Sequence, residues 1–488
     1  MKRRGFRRLY LAPVLALIAL MAWALASPVG SSPDDDFHLA SIWCSNASKT
    51  TACETTSDPS ERIVPPIIHF SPCFAAQPGQ SAACQSKYFA EGSRPSTRTN
   101  RGNFENNYPP VYYAVMSAFV GPSISVSVVL MRLVNIAIFI AMTAALFILL
   151  PSSRRSTLIW SWIVTTVPLG LFLIASNNPS SWAIIGIGSG WIALLGYFET
   201  GGRRKLGLGI VFALASFMAA GARGDAALYS VLSIALVGIL TFTPTRRYLI
   251  SAILPIAMAG VGVAFFLGSR QSTVLDSGLS SVGGVTPPTA NPFTLAIRNA
   301  LDVPSLWSGV FGTWKLGWLD TSLPAVVPLG ALVAFIGIVF VGLVRLKLRE
   351  KITLGIAALA LLAIPTYVLV KGLNVVGENV QPRYLLPLIV VFAGIGLLSL
   401  GRRERSISGL QVWLIVAGLA VAESVALYTN MRRYITGTSG HGFNLDSGIQ
   451  WWWSMPVPPM VVWVVGSVAF TSLLVILVKE MDRSNDTV

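Results

Sequence analysis

Apolar runs of membrane-spanning length recur along this chain, and nothing else constrains its fold so strongly. About twelve stretches of roughly 17–25 residues carry few charges, and about 20 residues at 1.5 Å rise cross a hydrocarbon core. The expected fold class is therefore an all-α polytopic membrane protein of about twelve transmembrane helices, with two larger extracytoplasmic loops. A net charge of +15 could signal nucleic acid, but its distribution argues otherwise. If the sides alternate from a cytoplasmic N-terminus, cytoplasmic segments collect 21 Lys/Arg against 6 acids, and the other side holds 15 of each. The surplus obeys the positive-inside rule, so it reports topology, and no nucleic-acid partner is expected. The expected location is the plasma membrane, as a multi-pass protein with both termini cytoplasmic and the lipid bilayer as its first partner.

The expected organisation follows. Residues 1–26 form a cytoplasmic tail and first span, and residues 27–123 a first extracytoplasmic loop. Residues 124–267 hold spans two to seven, the third over residues 157–175, and residues 268–322 a second loop with a tryptophan cluster. Residues 323–478 hold spans eight to twelve, the eleventh over residues 410–428 and followed by a loop with Arg432 and Arg433, and residues 479–488 a cytoplasmic tail. Ala24, Leu25 and Ala26 before Ser27 resemble a signal-peptidase site, but the apolar run is long for a signal, which favours an uncleaved anchor. The piece after residues 107–113 is too short to span and reads as an interfacial or re-entrant helix. No P-loop, dinucleotide fingerprint or soluble cytoplasmic domain offers a nucleotide-driven engine.

All four cysteines, Cys44, Cys53, Cys73 and Cys84, lie in the first loop without a C-x-x-C pair. Two disulfides are expected, with three connectivities open. Residues 46–48 have the form of a weak glycosylation sequon.

The same loop opens with S-S-P-D-D-D-F-H-L-A-S-I-W, residues 31–43. Pro33 suits the first position of a helix, and carboxylates suit a first turn. A helix starting here places Asp34, Asp35 and His38 on one side. Two readings stand: the acids cap a surface helix, or they form an acid/base or metal site. Isolated arginines at span ends favour the second: Arg223 beside Asp225, Arg383 beside Tyr384, and Arg432 with Arg433. A carboxylate can accept an acceptor hydroxyl's proton while guanidinium groups bind a phosphate leaving group. Alternatively Asp34, Asp35 and His38 could hold Mg or Mn. Plainer readings compete. Arg223 and Asp225 can be a local ion pair closing a loop, Arg132 and Glu423 are expected to pair within the bundle, and His69 and His441 read as ordinary loop residues. Trp307, Trp314 and Trp318 suit either sugar stacking or an interfacial belt.

P-D-D-D-F-H-L at residues 33–39 resembles the P-D-E-x-x-H-F signature of domain-of-unknown-function family 2142, bacterial membrane proteins. Y-P-P-V-Y-Y (residues 108–113), S-N-N-P (176–179), A-R-G-D-A-A-L-Y (222–229) and Q-P-R-Y-L-L-P (381–387) resemble its later motifs in the same order. That family is classed with the GT-C glycosyltransferases. The resemblance implies a GT-C-like fold and a polyprenyl-phosphate-sugar donor, with a cell-envelope glycan or lipid-linked acceptor. It maps the acidic pair to Asp34 and Asp35 and the phosphate-side arginine to Arg383. Asp35 stands where Glu is usual, and Pro382 where Gly is common. The expected site is thus Asp34, Asp35 and His38 for catalysis, with Arg383, Tyr384 and Arg223 on the donor phosphate. Rival readings are a transporter or flippase of lipid-linked saccharides, and a non-catalytic envelope-assembly scaffold. Against transport, no convincing internal repeat is visible and polar residues gather at the outer ends of spans.

Overall fold

The computed structural model describes residues 9–45, 52–273, 291–400, 408–440 and 442–485. The basic residues before position 9, the sequon at 46–48, Arg402, Arg403, Arg405 and His441 lie outside the described residues. The chain opens with α1 (Ala12–Leu25), α2 (Asp35–Cys44), α3 (Val111–Ser117) and α4 (Ile124–Leu149). There follow α5 (Ser152–Thr166), α6 (Leu169–Ile174), α7 (Ser180–Glu199), α8 (Gly202–Ala222), α9 (Gly224–Thr241) and α10 (Arg246–Leu267). After α11 (Pro292–Asp302) come α12 (Val326–Leu343), α13 (Leu348–Lys371), α14 (Pro382–Gly396), α15 (Gly409–Ile435) and α16 (Pro459–Asn485).

Among the described residues, nine helices are long and apolar enough to cross a bilayer: α4, α7 to α10, α12, α13, α15 and α16. α1 and α14 are apolar but shorter. The expected span at residues 157–175 is broken, because Pro168 has no N–H to continue α5 and the chain restarts as α6. The protein is an all-α polytopic membrane protein.

Burial sorts these spans. In the apolar window of α7, 89% of residues are buried, against 22% in α10, so α7 runs through the centre and α10 faces lipid. Glycine explains the position of α7. A Cβ on Gly186 would lie 2.5 Å from the Ala215 carbonyl oxygen of α8, and one on Gly188 2.4 Å from the Trp162 ring of α5. Missing side chains let backbones approach, and close packing is what joins helices in lipid. The outer helices instead turn large apolar residues such as Ile253, Ile256, Leu329 and Phe340 outward.

Residues 27–45 and 52–123 form a folded cap. α2 and α3 pack together around Trp43, Ile67, Ile68 and Tyr112. Beside them lies an antiparallel sheet ordered β1 (Glu54–Thr55), β2 (Arg62–Val64), β3 (Thr97–Thr99). Of the three open connectivities the protein uses Cys44–Cys53 and Cys73–Cys84. The first ties the end of α2 to the start of the sheet. α3, the piece too short to span, is held in this cap with Tyr112 and Tyr113 buried.

Two expectations about charges need correction. Arg132 and Glu423 do not pair. Arg132 donates to the carbonyls of Ala24, Ser27 and Pro28, whereas Glu423 accepts from the Trp23 indole at 3.1 Å. Arg132 sits beside the chain leaving α1, where free carbonyls offer it neutral acceptors. Arg432 and Arg433, expected in a loop, lie in the last turns of α15, which runs past the anticipated end near residue 428. Arg433 is wholly buried against Asp320 at 2.7 Å and the carbonyls of Phe74 and Gln80, and these partners let the helix continue.

Candidate functional site

The strap between α1 and α2, residues 26–33, has no regular structure, so its carbonyls need partners from elsewhere. Asn430 donates to Ala26, Gln85 to Val29, Trp318 to Gly30 and Tyr434 to Ser31. Asn178 and Arg383 both donate to Pro33, at 2.8 and 3.1 Å. Cap, loops and distant helices therefore fix the strap that carries the acids.

Those three acids turn three ways. Pro33 is not the first helical residue. The helix begins at Asp35, and Asp34 is its N-cap with φ of 62°, a left-handed geometry that Asp tolerates better than most side chains. Asp34 points at Arg383, 2.5 Å from Nη2, and at Arg101 at 3.5 Å. Asp35 turns back to accept from the Ser32 N–H at 3.1 Å and from the Ser32 hydroxyl, and it is wholly buried. Asp36 takes a bidentate grip from Arg101, at 2.8 and 3.0 Å. Burial works against charge on Asp34, but Arg383 and Arg101 outweigh it and hold its carboxyl at about 2. Burial pushes Asp35 up to about 6, which the Ser32 hydrogen bonds and Arg132 only partly offset.

His38 shares a hydrogen bond between Nδ1 and the Tyr113 hydroxyl at 3.0 Å. Its Nε2 is buried with no partner among the described residues. Burial lowers its proton affinity well below the ordinary value, against the attraction of Asp34, so the ring is neutral near pH 7.

Arg383 stands in the first turn of α14, where Pro382 pre-sets the backbone for a helix start. Its Nη2 also meets the Tyr384 hydroxyl at 3.1 Å. The Tyr384 ring lies between two guanidinium groups, 5.1 Å from Arg383 and 4.7 Å from Arg223. Arg223 pairs bidentately with Asp225 at 2.8 and 2.9 Å, as the local reading expected. It also reaches Ser180 at 3.4 Å and lies over the Tyr108 ring. Two cations, Arg383 and Arg101, thus border one partly open carboxylate, Asp34, whose side chain keeps 38% of its exposure, and Arg223 stands one tyrosine ring away. A void of about 20 Å³ beside Pro33, Lys315 and Arg383 is room for little more than a water.

The residues that converge here come from five separated motifs: Asp34 and His38, Tyr108 and Tyr113, Asn178, Arg223, and Arg383 with Tyr384. Residues 17–392 match the family model described as Predicted membrane protein (DUF2142). The chain belongs to that family. A search of curated proteins finds no match. In this DUF2142 chain, Asp34, His38, Arg223, Arg383 and Tyr384 meet in one place, while Asp35 faces the opposite side of the strap. Among the described residues no three His, Cys, Asp or Glu side chains converge to hold a metal ion. Asp34 is flanked by guanidinium groups, which is a poor setting for a cation.

Sequence reasoning missed Arg101, Asn178 and Tyr113. Tyr113 and Asn178 sit within quoted motifs but carried no assigned role. Arg101 had no local signal at all, since the turn after β3 and the Thr99 hydroxyl aim it.

Proposed function

We propose that this protein is a membrane glycosyltransferase of GT-C type, acting at the extracytoplasmic surface. It moves a sugar from a polyprenyl-phosphate donor to a cell-envelope glycan or lipid-linked acceptor. The observation that carries this reading is the Asp34–Arg383 ion pair, with Arg223 one tyrosine ring away. An arginine pair suits a phosphate, because guanidinium forms charge-assisted bidentate bonds to its oxygens.

With Arg383 on Asp34, the carboxylate binds protons too weakly to act as a base. A donor phosphate that draws Arg383 away removes the nearest positive charge, and the proton affinity of Asp34 rises. Asp34 then accepts the proton of the acceptor hydroxyl as its oxygen attacks the anomeric carbon. The bond from that carbon to the phosphate oxygen breaks, and polyprenyl phosphate leaves with the electron pair, held by Arg383 and Arg223. Neutral His38 and Tyr113 set the floor of the site without adding charge. Asp35, turned into the strap, holds Ser32 and so the position of Asp34.

The test offers purified protein in detergent a panel of radiolabelled polyprenyl-phosphate sugars with envelope lipid extract as acceptor. Wild type transfers label from one donor, and Asp34→Asn loses at least about 100-fold, the span of a lost general base. Arg383→Lys keeps the charge, loses the bidentate fork and falls in between. Activity that needs a sealed vesicle would favour a flippase, and full activity in Asp34→Asn would remove the mechanism.

A further inference from the structure

A second cleft opens between the cap, the start of α4 and residues 450–455 ahead of α16. Its volume is about 800 Å³, within the roughly 300–1,000 Å³ of small-molecule sites. Among the described residues no charged side chain lines it, in contrast to Arg383 and Arg101 at Asp34. One wall is indole. Trp451 meets Trp452 at 6.0 Å and 75°, and Trp453 at 5.3 Å and 65°, so the rings form a corner. Two of these rings are locked by their edges: Trp452 Nε1 donates to Val457 and Trp453 Nε1 to Leu25, both at 2.8 Å. The α4 side is apolar, with Val126, Val129, Leu130 and Leu133, and Gln85, Gln450 and Ser123 add neutral polar groups. The Gln85 amide nitrogen is spent on Val29 and Ser71, while its Oε1 is buried with no partner among the described residues.

We propose that this cleft binds a neutral saccharide chain. Sugar rings present C–H faces that stack on indoles and hydroxyls that both donate and accept, which is what indole, amide and hydroxyl walls ask for. A hydrocarbon occupant would suit the α4 side but would bury Gln450 and the serines unpaired, at a cost. A charged occupant would find no counter-charge among the described lining residues. The cleft also shares the strap with the candidate site. Val29 lines it and Asp34 lies five residues along the same strap, at most about 17 Å of extended chain away. That the saccharide is the acceptor rests on the transferase reading, but its binding does not. The tryptophan wall lies outside residues 17–392, so family membership does not carry it.

The test is binding without any donor. Protein in phosphatidylcholine nanodiscs is titrated calorimetrically with maltohexaose, mannohexaose, xylohexaose and chitohexaose, and with hexagalacturonate as the charged counterpart. At least one neutral chain binds and hexagalacturonate does not. Trp451→Ala weakens binding about ten-fold or more, the scale of a lost ring stack. Trp451→Phe retains most of it, and Gln450→Ala gives an independent loss should Trp451→Ala fold poorly. Absence of binding by every neutral chain, or unchanged binding in both Trp451→Ala and Gln450→Ala, overturns the proposal. Asp34→Asn binds like wild type even where it transfers nothing, so failure of the cleft and failure of the chemistry are read separately.

Discussion

Asp34 and Asp35 are the same side chain on consecutive residues, and their surroundings push them apart by about four pKa units, from about 2 to about 6. The signs have opposite consequences for stability. Asp34 is depressed, so its contribution is present above about pH 4 and is lost as pH falls toward 2. Asp35 is raised, so folding favours its protonated form; its contribution is complete below about pH 4 and lost as pH rises through 6. Asp35→Asn should therefore gain on wild type between pH 4 and pH 7, by up to about 3 kcal/mol if the full shift is released. Thermal unfolding of both proteins in nanodiscs across that range checks this, and a constant gap in Tm would contradict it. The run of three acids is plain in the sequence, but their directions are not. Direction depends on the left-handed turn at Asp34, which moves the helix start two residues past the point that Pro33 suggests.

At the scale of elements, apolar length makes the spans legible, because a helix of about 20 residues is what a bilayer demands. Interruptions are harder to see. Pro168 divides one run, and α15 overruns its expected end because Arg433 finds Asp320, Phe74 and Gln80, partners remote in sequence. Which span is central is equally hidden, since α7 and α10 are both apolar and differ in their glycines' neighbours. Gly186→Ala forces a methyl to within 2.5 Å of the Ala215 carbonyl oxygen, which should cost about 1–3 kcal/mol through overpacking. Gly238→Ala in α9 meets nothing within 4 Å and should be neutral or stabilising. Melting temperatures of the two variants compare the sites directly, and equal losses would refute the packing argument.

For the whole molecule, five motifs scattered from residue 33 to residue 387 name most of the candidate site, yet none says what it touches. The fold supplies that, by bringing Asn178, Tyr108, Tyr113, Arg223 and Arg383 to one strap. Arg101 remains invisible until the sheet of the cap is known. The cap is also where cross-links act at a distance. Cys73–Cys84 brackets the segment whose Phe74 and Gln80 carbonyls bind Arg433. Replacing both cysteines with serine should cost about 3 kcal/mol by the loop-entropy estimate. Limited proteolysis should then cut within residues 74–83 while the spanning bundle stays resistant; unchanged resistance there would count against this coupling.

The grip on the strap also sets an order of assembly. Ser27 and its partner Asn430 are 403 residues apart in the chain. At ribosomal speeds of about 5–20 residues per second, roughly 20–80 s pass between making one and making the other. Through that interval the earliest-synthesised part of the candidate site waits for Asn430 and Tyr434, so the strap is fastened only after the last turns of α15 have been made.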